Sequence, residues 1–558
     1  MERDIEQLPH TTFDIVILGG GITGACLAHD AALRGLRVAL VEKDDFGMST
    51  SSASSKLLHG GIRYLQKLQF GKVRESARER AYFQKIAPHL TSYVPFLIPT
   101  FQRDVMKGKL ALTAGMVVYR MLCSGLNGTI NDPAKKAPSG RLFGKSATFK
   151  KVPLLKNISG INGSHTLYES HIHNSERMTL AFIKSAVKNG ASVANHSTVI
   201  DFRKNGRHVT GVLVKDNLSH KEYEVSAKIV VNASGPFLPS LNSKLDGLDL
   251  HRNTTGFSKG VHLVTRQING SHALALSSTK KTEGLVTRGG RHIFIIPWRG
   301  QSLIGTTNVP YEGKPDDITV TDTDIVDFLQ DINAMLPGVS LIKSDVQYAF
   351  AGLYPLTSEE IHTDTYQGTG EYQVVDHGQK NNIEGIISVL GAKYTTARAI
   401  SEQAVDIIAQ KLSISLQKCQ TADTPLFEGN IDNILDFFYK KTERYKDLFD
   451  RETIRHLVVS HGSNIDTVIN YMQSTKGYCK KLSPHRYTLV GEIAYAVEFE
   501  MARRLDDVVF ARTGLGTIGH PGSDVIEKVA DLMANLLGWS EEQRYQETEQ
   551  IEMRYRYL

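Results

Sequence analysis

The chain has 558 residues, of which 41% are hydrophobic and 22% are charged. This length predicts two or three domains, and the composition excludes disordered, collagenous and disulfide-scaffold proteins. The net charge of +6 is small for the length, so it is only a weak indication of nucleic acid, a membrane surface or an anionic substrate as a partner. We expect no nucleic-acid partner.

The spacing of the cysteines and the composition of the first ten residues help to predict the cellular compartment of the protein. The four cysteines are Cys26, Cys123, Cys419 and Cys479. Their spacing suggests neither a zinc site nor a disulfide framework, which favours a reducing compartment. Residues 1–10 lack the apolar segment of a signal peptide. The longest apolar run, residues 110–122, contains Arg120 and is shorter than the roughly 20 residues that span a bilayer. We therefore expect a cytoplasmic protein without a spanning helix.

The first elements along the chain follow a β-α-β order. Residues 13–18 (FDIVIL) are predicted as a buried strand, residues 25–33 as a helix and residues 38–41 as a second buried strand. Residues 71–89 have the composition of a helix that Pro88 closes.

The later elements alternate before becoming purely helical. In chain order they are a helix at 175–189, a buried strand within 225–237, antiparallel strands between 259 and 309, a helix at 395–412 whose initial hydroxyls can cap it, and helices from about 429 onward. The order predicts an α/β domain that the chain leaves and re-enters, an antiparallel layer, and an all-helical C-terminal domain.

A glycine motif opens the first helix. Gly19-x-Gly21-x-x-Gly24 follows a strand, and a second strand ends at Glu42, eighteen residues after Gly24. With strand, helix and distal acid in place, the motif predicts a dinucleotide site more strongly than a βα turn without a ligand. Gly19 permits the tight turn, Gly21 lets the backbone approach a pyrophosphate, and Gly24 lets the helix pack on the strand. Glu42 would accept hydrogen bonds from ribose hydroxyls.

A second match, Gly514-x-Gly516-x-x-Gly519, lacks this context. No strand with a terminal acid follows it, only a helical stretch at 524–537, so we interpret it as a loop between helices. One dinucleotide site favours a flavin enzyme over one that also uses a nicotinamide.

The stretch at 51–65 (SSASSKLLHGGIRYL) combines hydroxyls with three basic side chains. Its position predicts contact with two anions, the pyrophosphate of the cofactor and the phosphate of a substrate. The guanidinium of Arg63 is a planar fork suited to a phosphate. The alternative is a solvated serine-rich loop.

Five segments carry a family resemblance. They are GGGITGACLAHDAALRGLRVALVEKDDF, SSASSKLLHGGIRYL, VVNASGPF, IGTTNVPYEG and LGAKYTTARA. In this order they resemble the FAD-dependent glycerol-3-phosphate dehydrogenase family, within the D-amino-acid-oxidase-like fold, over about residues 13–520. The implied fold class is α/β, with a Rossmann-like FAD-binding domain interleaved with an antiparallel-sheet substrate domain, plus an all-helical C-terminal domain. The implied segments are 11–95, 165–255 and 345–415 for FAD, 96–164 and 256–344 for the substrate, and 416–558 for the helical domain.

The resemblance implies a reaction. sn-Glycerol 3-phosphate would lose its C2 hydride to flavin N5, giving dihydroxyacetone phosphate, and the electrons would pass to a membrane quinone. The resemblance makes Arg63, Tyr64, His262 and Lys393 substrate-facing, with Arg63 and Lys393 on the phosphate. His262 would be the general base, because an imidazole of near-neutral pKa suits that proton. The protein would lie peripherally on the cytoplasmic side of the inner membrane.

The resemblance also implies a set of cofactor residues. They are Gly19, Gly20, Gly21, Thr23, Gly24, Glu42, Lys43, Thr50, Ser51, Ser52, Ser54, Ser55, Lys56, Leu57, His59, Gly60, Gly61, Ala233, Gly235, Lys393, Thr395 and Thr396. The two threonines sit at a helix start, whose positive dipole end can stabilise negative charge on a reduced flavin.

One departure concerns the substrate site. Where the family has an arginine, in a pattern like SGVRPL, this chain has AGLYPL with Tyr354, and the GTTD pattern is GTTN with Asn308. A phenol cannot replace a bidentate anion contact. Either Arg63 and Lys393, with or without Lys259, suffice for the phosphate, or the substrate differs. The absence of this arginine also counts against the interpretation that the chain is an amino-acid oxidase.

Several alternatives stay open. The chain could be a flavin oxidase of another hydroxy or amino compound that uses O2, or a flavin-bearing RNA- or membrane-binding protein without turnover. His262 could be a strand histidine and Lys393 a surface charge. His165, His171 and His173 lack a complete ligand set, so we expect no metal. Residues 106–122 could lie on a lipid surface or form core. The oligomeric state stays open, a homodimer included.

Overall fold

The computed structural model describes residues 1–3, 5–65, 68–102, 108–245, 256–277, 292–355, 372–391 and 393–557. The strands are β1 (Phe13–Leu18), β2 (Val38–Val41), β3 (Leu57–Leu58), β4 (Thr91–Phe101), β5 (Leu142–Gly144), β6 (Ile161–Ile172), β7 (Ser192–Ala194), β8 (Ser197–Asn205), β9 (His208–Asp216), β10 (Glu222–Asn232), β11 (Phe257–Arg266), β12 (Ala273–Ser277), β13 (His292–Trp298), β14 (Gln301–Gly305), β15 (Val309–Tyr311), β16 (Val346–Pro355), β17 (Gln373–Asp376) and β18 (Ile386–Leu390). The α-helices are α1 (Ile22–Leu33), α2 (Ile62–Leu65), α3 (Phe70–Ile86), α4 (Lys109–Leu122), α5 (Lys145–Lys151), α6 (Ser175–Lys188), α7 (Leu238–Asn242), α8 (Asp322–Met335), α9 (His377–Asn381), α10 (Ala397–Lys411), α11 (Ile434–Tyr445), α12 (Arg451–His461), α13 (Ile465–Gln473), α14 (Val490–Phe499), α15 (Ser523–Leu537) and α16 (Glu541–Met553).

The first sheet has eight strands, of which six follow the order β17-β18-β10-β1-β2-β7 and are parallel except for β17. Outside this path, β9 pairs antiparallel with β10 and with β8. Strand β1 is buried throughout, as expected for a parallel strand covered on both faces. Its Ile15 and Ile17 join a core with helices α1, α6 and α10, whereas Val16 joins a core with strands β8 and β9. The predicted β-α-β unit is confirmed, and α1 begins at Ile22, directly after the glycine turn.

The second sheet is antiparallel except for the β12–β4 pair and has the order β15-β11-β14-β13-β12-β4-β6-β3. Strand β16 pairs with β11 outside this path, opposite β14 and β15. Helix α8 covers one face, where Ile325, Phe328 and Ile332 pack with residues of the strands. The antiparallel strands predicted between 259 and 309 are confirmed.

Beyond α10 the described chain is mainly helical, and buried charges join it to helix α6. Arg177 and Lys184 of α6 contact Glu500 at 3.0 and 2.8 Å, and Lys184 contacts Glu428 at 2.6 Å. Burial opposes ionisation of Glu500, but Arg177 and Lys184 outweigh it and hold the pKa of that carboxyl well below its usual range. The two carboxylates lie close to His461, but the neighbouring cations balance their charge. The second glycine motif lies in a loop before α15, as predicted.

Helix α4 is unusually exposed. Within the described residues, the stretch Lys109–Thr129 is the one helical segment long and apolar enough to cross a membrane by length and composition, and little of it is buried. From the sequence we took the apolar run to end at residue 122, but a short helical turn, Leu126–Thr129, follows it. Regular helix accounts for 14 residues, or about 21 Å. Gly125 then turns the chain in the left-handed conformation, with φ of 82°.

Candidate active site

A cavity of about 460 Å³ lies where the carboxyl ends of β1, β10 and β18 face the second sheet. The predicted residues that line it are Gly19, Gly21, Thr23, Glu42, Lys43, Thr50, Ser51, Ser54, Ser55, Leu57, His59, Ala233, Gly235, His262, Tyr354, Lys393 and Thr395. Ligands of open α/β sheets bind at this edge of the strands. The structure thus brings most of the predicted residues of both sets together.

The glycine turn leaves no room for side chains. Gly19 has φ of +100°, and a Cβ there would lie 2.8 Å from the Cα of Ser234. A Cβ on Gly24 would lie 1.9 Å from the carbonyl oxygen of Gly19, so α1 packs directly on the turn. The N–H of Ile22, the first residue of α1, donates to Ser51 Oγ at 2.9 Å. The turn and the serine-rich stretch therefore meet at the helix N-terminus.

Glu42 lies at the end of β2 and lines the cavity. Its carboxylate accepts hydrogen bonds from the backbone N–H groups of Gly20 at 2.6 Å and Asp44 at 2.9 Å. Burial, followed by the charge of Asp44, raises the pKa of Glu42 to about 7. Hydrogen bonding to a ribose stays a prediction.

Lys56 differs from its expected role. Its side chain is buried, and its ammonium contacts Glu176 at 2.9 Å, Ser175 Oγ at 2.7 Å and the carbonyl of Ser52 at 2.7 Å. A buried ammonium requires such a carboxylate, and this one leaves no charge for a pyrophosphate. The expectation that the Lys56 ammonium binds the cofactor is wrong.

The remaining predicted residues do not line the cavity. They are Gly20, Gly24, Ser52, Gly60, Gly61, Tyr64 and Thr396. The N–H of Gly60 donates to the buried Glu169 at 2.7 Å, and a Cβ on Gly60 would overlap the Tyr119 hydroxyl at 2.0 Å. Thr396 is the N-cap of α10 without a side-chain cap hydrogen bond, so the predicted capping by its hydroxyl is wrong. The side chain of Arg63 lies outside the described residues.

His262 lines the cavity from β11. Its Nε2 and Ser55 Oγ are 2.8 Å apart, and its ring stacks on Phe350 with centroids 5.1 Å apart. Burial, and then the charge of Lys56, lowers the pKa of His262 to about 3. The expected near-neutral pKa is wrong because burial of the ring and the nearby Lys56 charge both disfavour its protonated form. Sequence analysis missed Phe350, which the antiparallel register places opposite His262.

Lys393 lines the same cavity beside α2. Its Nζ is 4.2 Å from the centroid of the Tyr64 ring, at cation–π distance. Burial lowers the pKa of Lys393 to about 8. Nearby, Thr395 lines the cavity with a buried hydroxyl that has no partner among the described residues. An unpaired buried hydroxyl, a glycine turn and a cavity at the strand ends fit a bound dinucleotide such as FAD.

Comparison with known proteins agrees with this geometry. The family described as FAD dependent oxidoreductase matches residues 14–398, and the C-terminal domain of alpha-glycerophosphate oxidase matches residues 419–544. An aerobic glycerol-3-phosphate dehydrogenase from Staphylococcus saprophyticus is 32% identical, over 99% of this chain and 96% of that protein. The chain belongs to the FAD-dependent glycerol-3-phosphate dehydrogenase family. Its cofactor is FAD.

Two further relatives of this glycerol-3-phosphate dehydrogenase family member span nearly its whole length. A glycerol-3-phosphate dehydrogenase from Synechocystis is 29% identical, over 97% of this chain and 96% of that protein. The solved structure of a glycerol-3-phosphate dehydrogenase from Bacillus halodurans, complexed with FAD, is 28% identical and superimposes with a TM-score of 0.76. It covers 99% of this chain and 96% of that chain.

At Tyr354, where the glycerol-3-phosphate dehydrogenase family has an arginine, this family member carries an uncharged side chain. The Tyr354 hydroxyl donates a hydrogen bond to Asn308 Oδ1, which also accepts one from Ser258 Oγ at 2.5 Å. Lys259, considered above for the phosphate, instead contacts Asp324 at 2.6 Å. This ion pair at the start of α8 balances the charge of Lys259, which counts against the alternative in which Lys259 helps to hold the phosphate.

Proposed function

We propose that the protein oxidises sn-glycerol 3-phosphate at C2 to dihydroxyacetone phosphate. The observation that carries this is the presence of an uncharged imidazole, His262, and a cation, Lys393, in the cavity that the glycine turn borders. FAD, when bound, supplies the acceptor for the hydride that leaves C2. The relatives' names point to the same substrate.

His262 and Lys393 have different roles in the proposed reaction because one is neutral and the other is charged. Neutral His262 keeps a lone pair on one ring nitrogen, which can accept the proton of the C2 hydroxyl. Ser55 and Phe350 fix the orientation of that ring. The Lys393 ammonium attracts the phosphate, and Tyr64 holds this ammonium by a cation–π contact.

Anaerobic mixing of the FAD-loaded protein with sn-glycerol 3-phosphate tests the proposal. We expect rapid bleaching of the flavin absorbance and formation of dihydroxyacetone phosphate. Glycerol is the control without a phosphate. Bleaching by glycerol but not by glycerol 3-phosphate would overturn the substrate assignment.

We expect the activity to fall at alkaline pH. The pKa of Lys393 is lowered to about 8, so its charge is present below that pH and lost above it. kcat/KM for glycerol 3-phosphate should therefore decline about tenfold per unit above the pKa of the free enzyme. The variant Lys393→Arg keeps its charge and should move the decline upward. A flat wild-type profile between pH 7 and 10 would contradict a phosphate role for Lys393.

We also propose that the electrons pass to a quinone, and that the protein lies on the cytoplasmic face of a membrane. Helix α4 supports this with an apolar stripe on its solvent side. Leu110 is 86%, Val117 47% and Met121 69% exposed, and Val118 lies beside them. These positions share one helix face. At about 21 Å, α4 is shorter than the ~30 Å hydrocarbon core, so it would lie in the interface.

A second cavity, of about 340 Å³, supports an acceptor from the membrane. Tyr119 of α4 and Arg80 of α3 line this second cavity, and both pack against Gly60. The residue before Gly60, His59, lines the first cavity. Two of its buried polar atoms, Arg80 Nε and Thr166 Oγ1, have no partner among the described residues. The cavity thus offers donors for a quinone head group beside the apolar stripe.

Charges on the stripe should separate membrane binding from catalysis. We expect the double variant Leu110→Glu and Val117→Glu to lose binding to phospholipid vesicles and most quinone reduction, while activity with a soluble dye acceptor persists. Leu435→Glu changes a 66% exposed leucine of α11 and is the control. Undiminished vesicle binding by the double variant would refute the proposed surface. Stoichiometric peroxide from O2, without quinone reduction, would instead favour an oxidase.

A further inference from the structure

The positive charge of the chain is concentrated in one segment. Residues 105–168 contain ten lysines and arginines but a single acidic residue, Asp132. The net charge of this segment, +9, exceeds the +6 of the whole chain, so the remaining residues are together negative. The segment includes helix α4, strand β5 and helix α5. The small overall charge therefore conceals a strongly basic region around the exposed apolar helix.

The basic side chains of this segment are exposed to solvent. They are Arg120, Lys136, Arg141, Lys145, Lys150, Lys151 and Lys156. Within the part of the chain that the structure describes, no carboxylate forms an ion pair with any of them. Other exposed helices balance their charges, as Lys440 does with Asp436 at 2.7 Å on α11. The segment thus presents an excess of positive charge that the protein itself does not neutralise.

Three of these cations lie around the second cavity, at the C-terminal end of α4. Arg120 lines this cavity, and so do residues 137–140, which Lys136 and Arg141 flank in the chain. Asn127, just after α4, donates to and accepts from the backbone of the first residue of this stretch, at 3.0 and 2.8 Å. These hydrogen bonds hold the basic stretch beside the apolar helix.

A fourth cation lies near the N-terminal end of α4. A Cβ on Gly163 of β6 would lie 2.8 Å from Cε of Lys109 and would also meet the carbonyl oxygen of Phe143, so the start of α4 packs beside β5. The Nζ of Lys151 is 4.8 Å from the centroid of the Phe143 ring, and the neighbouring Leu142 is exposed. We define the basic rim as Arg120, Lys136, Arg141 and Lys151.

We propose that the basic rim binds the head groups of anionic phospholipids while the apolar stripe of α4 enters the same leaflet. The inference rests on the proposed membrane location and names the lipid class that recruits the protein. Cations beside an amphipathic helix are attracted to the negative surface of such a leaflet. Lysine and arginine side chains can cover apolar surface with their stems and keep their charges at the head groups. The second cavity would then lie at the leaflet.

The apolar stripe decides between a membrane and nucleic acid as the anionic partner. The phosphates of a nucleic acid would attract the same cations. In such a complex, however, Leu110, Val117 and Met121 would stay in water. A leaflet accommodates both kinds of side chain, because its head groups take the charges and its acyl chains take the apolar residues. A lipid surface therefore fits the whole region, whereas a nucleic acid fits only the rim.

Binding of the FAD-loaded, full-length protein to sedimented vesicles tests the proposal. One set of vesicles is phosphatidylcholine alone, and the other is an equimolar mixture with phosphatidylglycerol. At low salt we expect the wild type to bind the mixed vesicles at least about tenfold more tightly than the neutral ones. The preference should disappear in about 1 M salt, where the Debye length falls to about 3 Å.

A triple variant of the basic rim should lose the preference for the mixed vesicles. It combines Lys136→Gln, Arg141→Gln and Lys151→Gln and leaves Arg120, which lines the second cavity, in place. The matched control removes the same charge from three exposed lysines elsewhere and should keep the preference. It combines Lys188→Gln, Lys418→Gln and Lys476→Gln. Flavin content and melting temperature of both variants should equal those of the wild type, which excludes a folding defect.

The other outcomes separate this proposal from the membrane location. A triple variant that keeps the preference would overturn the role of the rim, and so would equal binding of both vesicle types by the wild type, although the membrane location would then stand. Binding of neither vesicle type would refute both. Tighter binding to a single-stranded RNA than to the mixed vesicles would assign the rim to nucleic acid and overturn the proposal. Selective binding of the mixed vesicles without quinone reduction would support the rim and remove only the proposed acceptor.

Discussion

Gly24→Ala is expected to release FAD. Its new methyl group would lie 1.9 Å from the carbonyl oxygen of Gly19, a backbone atom that cannot rotate away. Helix α1 must then move off the turn, which displaces the N–H groups that we predict to face the cofactor phosphates. We expect FAD affinity to fall at least about a hundredfold, or roughly 2.7 kcal/mol. Flavin absorbance of the purified protein and titration with added FAD measure the loss.

Gly270→Ala is the matched control, because a Cβ there meets nothing within 4 Å. It should retain the cofactor and the melting temperature of the wild type. A yellow Gly24→Ala protein with normal FAD affinity would show that α1 tolerates the methyl group, and the assignment of this turn as the pyrophosphate site would then fall.

His262→Gln is expected to remove most of the turnover. Glutamine can hydrogen-bond to a hydroxyl but cannot take its proton, whereas positioned general bases contribute about 10²–10⁴-fold. We expect kcat for glycerol 3-phosphate to drop within that range, while FAD content and the inhibition constant of inorganic phosphate change little. Stopped-flow bleaching of the flavin under anaerobic conditions measures the chemical step directly.

His272→Gln serves as the control, since this histidine does not line the cavity. It should leave flavin bleaching unchanged. Because the pKa of His262 is lowered to about 3, no protonation of this ring should limit kcat/KM between pH 5 and 7. Full activity of His262→Gln would show that another group, or water, takes the hydroxyl proton.

The parts of the fold that sequence predicted are those governed by local spacing. The glycine turn of Gly19 and Gly24, the strand before it and the helix after it form one contiguous unit, so motif and period identify them together. The same logic correctly set aside the second glycine motif before α15. The proposed domain boundary near residue 416 and the individual ligand roles of the site residues stay predictions.

The parts that sequence reasoning got wrong or left open depend on partners distant in the chain. Lys56 is paired with Glu176, 120 residues later, and Lys259 with Asp324, 65 residues later. Neither partner lies at a spacing that a local pattern reveals. The pKa of His262 depends on burial against a neighbouring strand, which composition does not report. A basic residue in a motif therefore predicts a charge, but not whether another residue has already neutralised it.

The buried charges between α6 and the C-terminal helices make the two regions mutually dependent. If the chain stopped after α10, Arg177 and Lys184 would lose the carboxylates of Glu428 and Glu500. The two cations would lose these counter-ions, and the core residues of α6 that pack with Leu426 and Met501 would be exposed to water. We therefore expect a chain that ends after α10 to be less stable than the full-length flavoprotein, because the helical end covers part of the core of the catalytic region.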